Sequence, residues 1–341
     1  MRKNLTIGIV IILLVNMVVI WVTSSPGEAD SYGDYPPPGT GNWVITTETY
    51  VGNETIYLNG NLIIQNGGIL TFRNTTLKLN VSSDGQYYIE VQSGGSMRIL
   101  DLDGDNLTTN DASWITSNNT NYGFNFWVRD GAQFEMRNSN LTECGYFWFG
   151  VPDREGLFIE TDNAIIDHSL LYNNYKGVTT YGSDAIVSNN TIEWSGHTGI
   201  LARAWSNGTI ENNIIISSNS YGIRVDGVDN TKRWSSNPLI RGNLILNTGR
   251  GTSTANAIHI QDYSSPRIIG NEIVNYTEDG IYFGEWCQAT VEDTLIDADG
   301  GYYGIVGSVP RTVKLINCTI KNAKTLDVLG GTSYFIFTNT S

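Results

Sequence analysis

Apolar residues recur along this chain in pairs five positions apart, with asparagine or a small polar residue between them and, in most copies, a Gly-Ile pair soon after. The unit is clearest in AIIDHSLLYNNYKGV (164–178), AIVSNNTIEWSGHTGI (185–200), TIENNIIISSNSYGI (209–223) and LIRGNLILNTGRG (239–251). It continues in RIIGNEIVNYTEDGI (267–281), TVEDTLIDADGGYYGI (290–305) and VKLINCTIKNAKTLDV (313–328). Earlier segments, such as LIIQNGGILTFRNTTL (62–77), IEVQSGGSMRIL (89–100) and FWVRDGAQFEMRNSNL (126–141), carry the same unit with a Gly-Gly or Gly-Ala turn. The leading apolar position falls at Phe72, Ile99, Met136, Ile166, Val187, Ile210, Ile240, Ile268, Val291 and Leu315.

Self-similarity at such a period marks a repeat architecture. The shorter intervals, 21 to 24 residues, suit a coil of three short strands and three turns. Leucine-rich repeats share that length but need a leucine consensus that is missing. Strand residues alternate between the two faces, so Ile, Val and Leu stack in columns. The pattern predicts an all-β solenoid, a parallel β-helix of about ten coils over residues 42–341. Asn190, Asn213, Asn243 and Asn271 are expected to form a ladder, taking the left-handed bend that asparagine tolerates and hydrogen-bonding from coil to coil.

The front of the chain breaks the pattern. Met1-Arg2-Lys3-Asn4 is a short basic lead to an apolar run from Leu5 to Val22. That run is long for a signal-peptide core and short for a spanning helix. Residues 1–23 therefore read as a hydrophobic helix that is either a signal peptide cleaved near Thr23–Ser25 or an uncleaved anchor. Residues 24–41, with Pro26-Gly27 and Pro36-Pro37-Pro38, read as an extended linker. Either way the solenoid is expected outside the cell or on its surface, with the membrane touched only by the N-terminal segment. Twelve Asn-X-Ser/Thr sequons fit a secreted glycoprotein, although a chain rich in Asn and Thr produces many by chance. Solenoid ends need covers. Residues 42–58 are expected to cover the first coil, and either Tyr334–Phe337 covers the last or the chain is part of a longer protein.

Composition narrows the partners. Only 16% of residues are charged and the formal charge is −14. Phosphate binding needs a basic surface, so nucleic acid is excluded as a partner. Cys144, Cys287 and Cys318 have neither disulfide-framework nor metal spacing and read as small buried hydrophobes. Three dispersed histidines argue against zinc or copper.

These repeats resemble the right-handed parallel β-helix repeat family, the pectate-lyase-like superfamily. The lead-in GNWVITTETY…LNGNLIIQNGGILTFRNTTLKLN is also similar to archaeal cell-surface β-helix proteins. The resemblance spans residues 42–338. It implies a right-handed coil and a polysaccharide-facing strand surface, on a scaffold that hosts many activities.

Registering the strand that follows each Gly-Ile pair yields two outward stripes. One runs Glu90, Trp127, Phe158, Thr179, Leu201, Arg224, His259, Tyr282. The other, two residues on, runs Gln92, Arg129, Glu160, Tyr181, Arg203, Asp226, Gln261. Trp205, Asp262, Glu285 and Trp286 lie at the far edge, and insertions at 229–238 (with Trp234) and 248–256 are placed to wall a groove. Aromatic rings among polar groups suit sugars, so Trp127, Arg129, Tyr181, Arg203, Trp205, Gln261, Tyr282, Glu285 and Trp286 are candidate carbohydrate contacts. Arg224, Asp226, His259 and Asp262 fall on neighbouring coils and are the candidate catalytic set for a polysaccharide lyase, hydrolase or epimerase. His197, in Ser-Gly-His-Thr-Gly, precedes its strand and reads as a turn residue. Asp101, Asp103 and Asp105 place oxygen ligands at alternate positions, as calcium loops do, but Ala112 stands where an EF-hand has its last carboxylate. The segment is either a calcium site of another kind or a polar turn in the longest coil. The leading expectation is a non-enzymatic surface module that binds a polysaccharide or cell-surface glycan, or packs with like molecules in a surface layer. The enzyme is the alternative.

Overall fold

A computed structural model describes residues 31–105, 110–147, 154–227, 235–249, 255–308, 310–330 and 334–341. The N-terminal apolar segment lies outside the described residues, as do Trp234 and most of the two insertions read as groove walls. Among the described residues from Trp43 onward there are 35 strands, and each up to the last three pairs in parallel with the strand three places further on. Three all-parallel sheets of 12, 12 and 11 strands result, and three consecutive strands complete one coil.

The register places the ten leading apolar residues in one column, continued by Val51 at the front and Phe337 at the back. The described residues form twelve coils, two more than expected. The segment read as a cover over 42–58 is itself the first coil, with strands Trp43–Ile45, Glu48–Gly52 and Thr55–Leu58. The last coil is Leu326–Gly330 with Tyr334–Thr338. Residues 31–41, read as linker, dock on the first coil. Tyr32 bridges Tyr50 antiparallel through hydrogen bonds of 3.0 and 3.1 Å. Backbone and hydroxyl donors of Thr46 and Thr47 hold the Asp34 carboxylate below its ordinary pKa.

The interior is a continuous stack of Ile, Val, Leu and Phe, nearly all of them fully buried. Cys144, Cys287 and Cys318 are free and buried within it, and burial pushes the Cys287 thiol up to about 12. The glycine of the Gly-Ile pair is there because coils approach closely. A Cβ on Gly199 would lie 2.6 Å from the Gly222 carbonyl oxygen and 2.7 Å from Ile215 Cγ2.

The asparagine ladder forms. Asn190 Nδ2 donates to Asn213 Oδ1, Asn213 to Asn243 and Asn243 to Asn271, each at 3.0 Å. Each Nδ2 also donates to a backbone carbonyl in the preceding coil, as Asn213 does to Val187 at 2.9 Å. The left-handed bend, however, falls one residue earlier, at Asn189 (φ 56°), Asn212 (53°), Gly242 (63°) and Gly270 (60°). The turn reverses the backbone at that residue, and the next side chain is thereby tucked inward to bond along the axis. Outside the four asparagines the same column holds hydroxyls and a thiol: Thr75, Ser113, Ser139 and Ser169 before them, Thr294, Cys318 and Thr340 after.

Candidate functional site

Both outward stripes have the expected register. On the first sheet Glu90 pairs with Trp127, and the row continues through Phe158, Thr179, Leu201, Arg224 and His259 to Tyr282. Tyr181, Arg203, Asp226 and Gln261 follow one another in the second. The face is nevertheless not an open solvated surface. Phe158, Thr179 and Leu201 are buried under neighbouring side chains, and His259 is only 9% exposed.

The candidate sugar contacts divide into separate groups. Trp127 packs against Tyr88 at 4.9 Å with the ring planes tilted by 32°, and the Arg129 guanidinium sits 4.8 Å above its ring. Arg129 also bonds Glu90 at 2.8 Å and Glu160 at 3.2 Å. Six coil spacings, or ~29 Å at about 4.8 Å per coil, separate Trp127 from Tyr282. Tyr181 packs on Phe158 at 5.6 Å, between the two ends.

The catalytic candidates partly converge. Arg224 Nε donates to Asp226 Oδ1 at 2.7 Å, and its Nη2 reaches Gln261 Oε1 at 3.5 Å. His259 Nε2 lies 3.0 Å from the same Gln261 oxygen. The His259 ring is held between Tyr221 and Tyr282, both centroids at 4.8 Å. Its Nδ1 meets Asn256 Oδ1 at 2.7 Å, and Asn256 Nδ2 donates to Asp279 Oδ2 at 2.7 Å. Both ring nitrogens thus face amide oxygens, which only accept, so a neutral His259 can donate to one of them and not to the other. Asp262 stands at the turn beyond, its carboxyl raised first by burial and then by Asp226 and Glu285.

Burial pushes His259 and His197 down to about 4, with Arg224 adding to both, and pushes Asp279 up to about 7. Asp279 has a folded pKa above its unfolded value, so its contribution to stability is present at low pH and lost as pH rises through about 7. Asp279→Asn keeps the contact with Asn256 without that ionisation. The stability of the variant relative to wild type is expected to be higher at pH 8 than at pH 4, which paired urea melts at the two pH values measure.

Sequence reasoning missed a third outward row. Lys176, Thr198 and Tyr221 are in register, as are Asn256, Asp279 and Tyr303. These residues precede the Gly (or Ala257) of each Gly-Ile pair, three positions before the first stripe rather than two. The tight glycine stack shifts the alternation there, so counting back in twos skips them. Lys176 is buried and ion-paired with Glu155. His197 is the turn residue expected, its Nδ1 2.7 Å from Thr198 Oγ1 and its ring between Tyr175 and Tyr221.

The corner between the first and second sheets carries the strongest local signal. Other coils turn it with glycines such as Gly94 (φ 76°) and Gly131 (φ 74°). Here Trp205 (71°), Tyr263 (62°) and Trp286 (59°) take left-handed conformations. Those conformations cost roughly 1–2 kcal/mol for an L-residue with a Cβ. Trp205 is 50% exposed and Trp286 45%. Tyr263 and Trp286 stack at 6.2 Å with ring planes 7° apart, and Arg311 lies 5.8 and 5.7 Å from their centroids. Glu285 is exposed beside them.

The acidic loop gathers Asp101, Asp103 and Asp111, whose carboxylate oxygens lie within 4.8 Å of one another. Asp111, which the spacing did not single out, joins Asp101 and Asp103, and the Asp105 backbone N–H donates to Asp103 Oδ1 at 2.9 Å. Asp101 is buried and its pKa is raised by that burial.

Several solved structures are similar to this chain. Tailspike protein 3 of bacteriophage CBA120 is 14% identical with a TM-score of 0.54, over 91% of this chain and 56% of that one. The A-module of the Azotobacter vinelandii mannuronan C-5 epimerase AlgE4 is 15% identical, TM-score 0.47, over 82% and 88% of the two chains. The catalytic unit of a GH87 α-1,3-glucanase from Streptomyces thermodiastaticus is 13% identical, TM-score 0.46, over 87% and 62%. No curated protein sequence matches the chain. The family described as the right handed beta helix region matches residues 123–256 and 177–341. With the parallel sheets of the described residues extending through both matched stretches, the chain belongs to the right-handed β-helix family.

Proposed function

We propose that this protein is an extracellular or cell-surface β-helix, exported by its N-terminal apolar segment, that binds a glycan along the corner of Trp205, Tyr263 and Trp286 and the adjoining first-sheet face. The observation that carries the reading is the set of large aromatic residues held in left-handed turns that other coils give to glycine. Strain of that kind persists where a residue is kept for something other than stability. Exposed indole faces suit the C–H faces of sugar rings, and Arg203, Gln261 and Glu285 supply donors and acceptors for hydroxyls nearby. Like molecules in a surface layer would share that ligand.

A glycan array probed with wild type should give hits. The Trp205→Ala/Trp286→Ala double variant should lose at least tenfold in affinity for them, about 1.4 kcal/mol or more. A wild type that binds no glycan, or a double variant that binds as wild type does, rejects the reading.

A second reading, a polysaccharide lyase, hydrolase or epimerase, draws support from the linked Arg224, Asp226, Gln261 and His259 side chains. In that case array hits incubated with the protein should yield new reducing ends, unsaturated products or inverted sugar centres. Asp226→Asn and His259→Gln should abolish the turnover, and unchanged turnover in both would reject this catalytic set.

A further inference from the structure

We propose a second carbohydrate site on the outer face of the third sheet, in coils two to five, that takes a short segment of a neutral polysaccharide. It lies on a different sheet from the corner described above and uses none of its residues. The site is a recess of about 270 Å³ whose lining includes Lys78, Trp114, Thr116, Thr142, Glu143 and Tyr172. That volume is near the lower end of small-molecule pockets, which run about 300–1,000 Å³, so it suits one or two sugar rings.

The register creates the recess. On the outer face Lys78 pairs with Thr116, and Thr142 with Tyr172. Two short side chains therefore form a floor between long ones. Trp114 begins its strand one turn of the pleat before Thr116 and is 38% exposed, while Tyr172 is 41% exposed. Two aromatic walls thus flank a polar floor.

Trp114 is fixed before any ligand arrives. Its Nε1–H donates to Thr142 Oγ1 at 2.9 Å, and the Thr142 hydroxyl donates to Thr116 Oγ1 at 2.7 Å. The Thr116 hydroxyl donates in turn to the Ser117 carbonyl at 3.2 Å. Each hydroxyl accepts once and donates once, so the chain runs in a single direction and the indole has one orientation. A ring already immobilised loses little freedom on binding.

The charges select the ligand class. Lys78 lies over the Tyr57 ring at 5.6 Å, and the Glu143 carboxylate accepts from Asn173 Nδ2 at 3.0 and 3.1 Å. With one cation and one carboxylate at the recess, a strongly charged polymer of either sign meets a like charge. Neutral sugars meet hydrogen-bonding groups and two aromatic faces.

Affinity electrophoresis through gels containing laminarin, xylan, mannan or dextran tests the site. At least one of these polymers should retard wild type. The Trp114→Ala/Tyr172→Ala double variant should bind that polymer at least tenfold more weakly. Tyr172→Ala alone, at an exposed position, should weaken it several-fold with an unchanged thermal midpoint, which separates lost binding from lost folding. Trp205→Ala/Trp286→Ala, run beside them, reports the corner site separately. If none of the four polymers retards wild type, the proposal is wrong. It is equally wrong if the double variant at the third sheet binds within twofold of wild type, or if only the corner variant loses binding.

Discussion

Asn213→Ala is expected to lower the unfolding free energy by about 3–5 kcal/mol. The Asn213 carboxamide oxygen accepts from both Asn190 N–H and Asn190 Nδ2, each at 3.0 Å. Its own Nδ2 donates to the Val187 carbonyl at 2.9 Å and to Asn243 Oδ1 at 3.0 Å. All of this is fully buried. Truncation strands several polar groups where water does not reach, and each unmet group costs about 1–3 kcal/mol, with the sum less than additive. Asn219→Ala is the control, because that exposed side chain makes one bond, to the Gly196 carbonyl at 3.2 Å. It should stay within about 0.5 kcal/mol of wild type. Urea melts followed by circular dichroism compare the two. Equal effects at both positions would mean that the ladder is not what holds these coils.

Glu155→Ala should cost a similar amount, roughly 3–5 kcal/mol near neutral pH. Lys176 has a side chain only 8% exposed, and Glu155 is its ion-pair partner. Burial already lowers the lysine pKa, and the charges of Arg224 and Arg203 lower it further against the pull of Glu155. Without the carboxylate, the ammonium is left buried with two guanidinium groups acting on it. The sign of the pH response follows. A lysine whose folded pKa lies below its unfolded value binds fewer protons folded than unfolded between those two values, so stability rises with pH there. The deficit of the variant should therefore shrink as pH rises toward the unfolded value for lysine. A deficit that grows on the alkaline side would refute the account. The double replacement Glu155→Leu/Lys176→Met should recover much of the loss, since an apolar pair of similar volume often substitutes for a buried ion pair.

The fold was legible because the stacked columns impose a repeat that survives insertions. The positions from Phe72 to Leu315 form one column, and both outward stripes follow from the alternation of strand residues. The first and last coils escaped because no Gly-Ile pair marks them, although Asn53 and Asn339 take the same left-handed bend as Asn189 and Asn212. The candidate site was legible only by register. Arg224, Asp226 and His259 lie on adjacent coils, so a correct register brings them near. Lys176, Asn256 and Asp279 were not seen, because the glycine stack breaks the period of two just before the stripe. Tyr263 and Arg311 were missed for another reason. Nothing in the sequence says that an aromatic residue will occupy a left-handed turn, a conformation that sequence rules assign to Gly and Asn. The acidic loop shows the same limit, since Asp111 joins Asp101 and Asp103 through the fold of the loop rather than through its spacing.

The change of chemistry along the inner column also sets an order of events. Amide side chains with two donors and an acceptor bind coil to coil from Asn190 to Asn271, whereas single hydroxyls or the Cys318 thiol do so toward either end. A solenoid in which each coil touches only its neighbours opens from its weaker junctions. Amide hydrogen exchange should therefore be fastest in the outer coils and slowest in the coils from Lys176 to Val274, where the linked Arg224, Asp226 and His259 sit. Under tension along its axis, the solenoid of the described residues would open at its outer coils first and keep its middle coils closed longest.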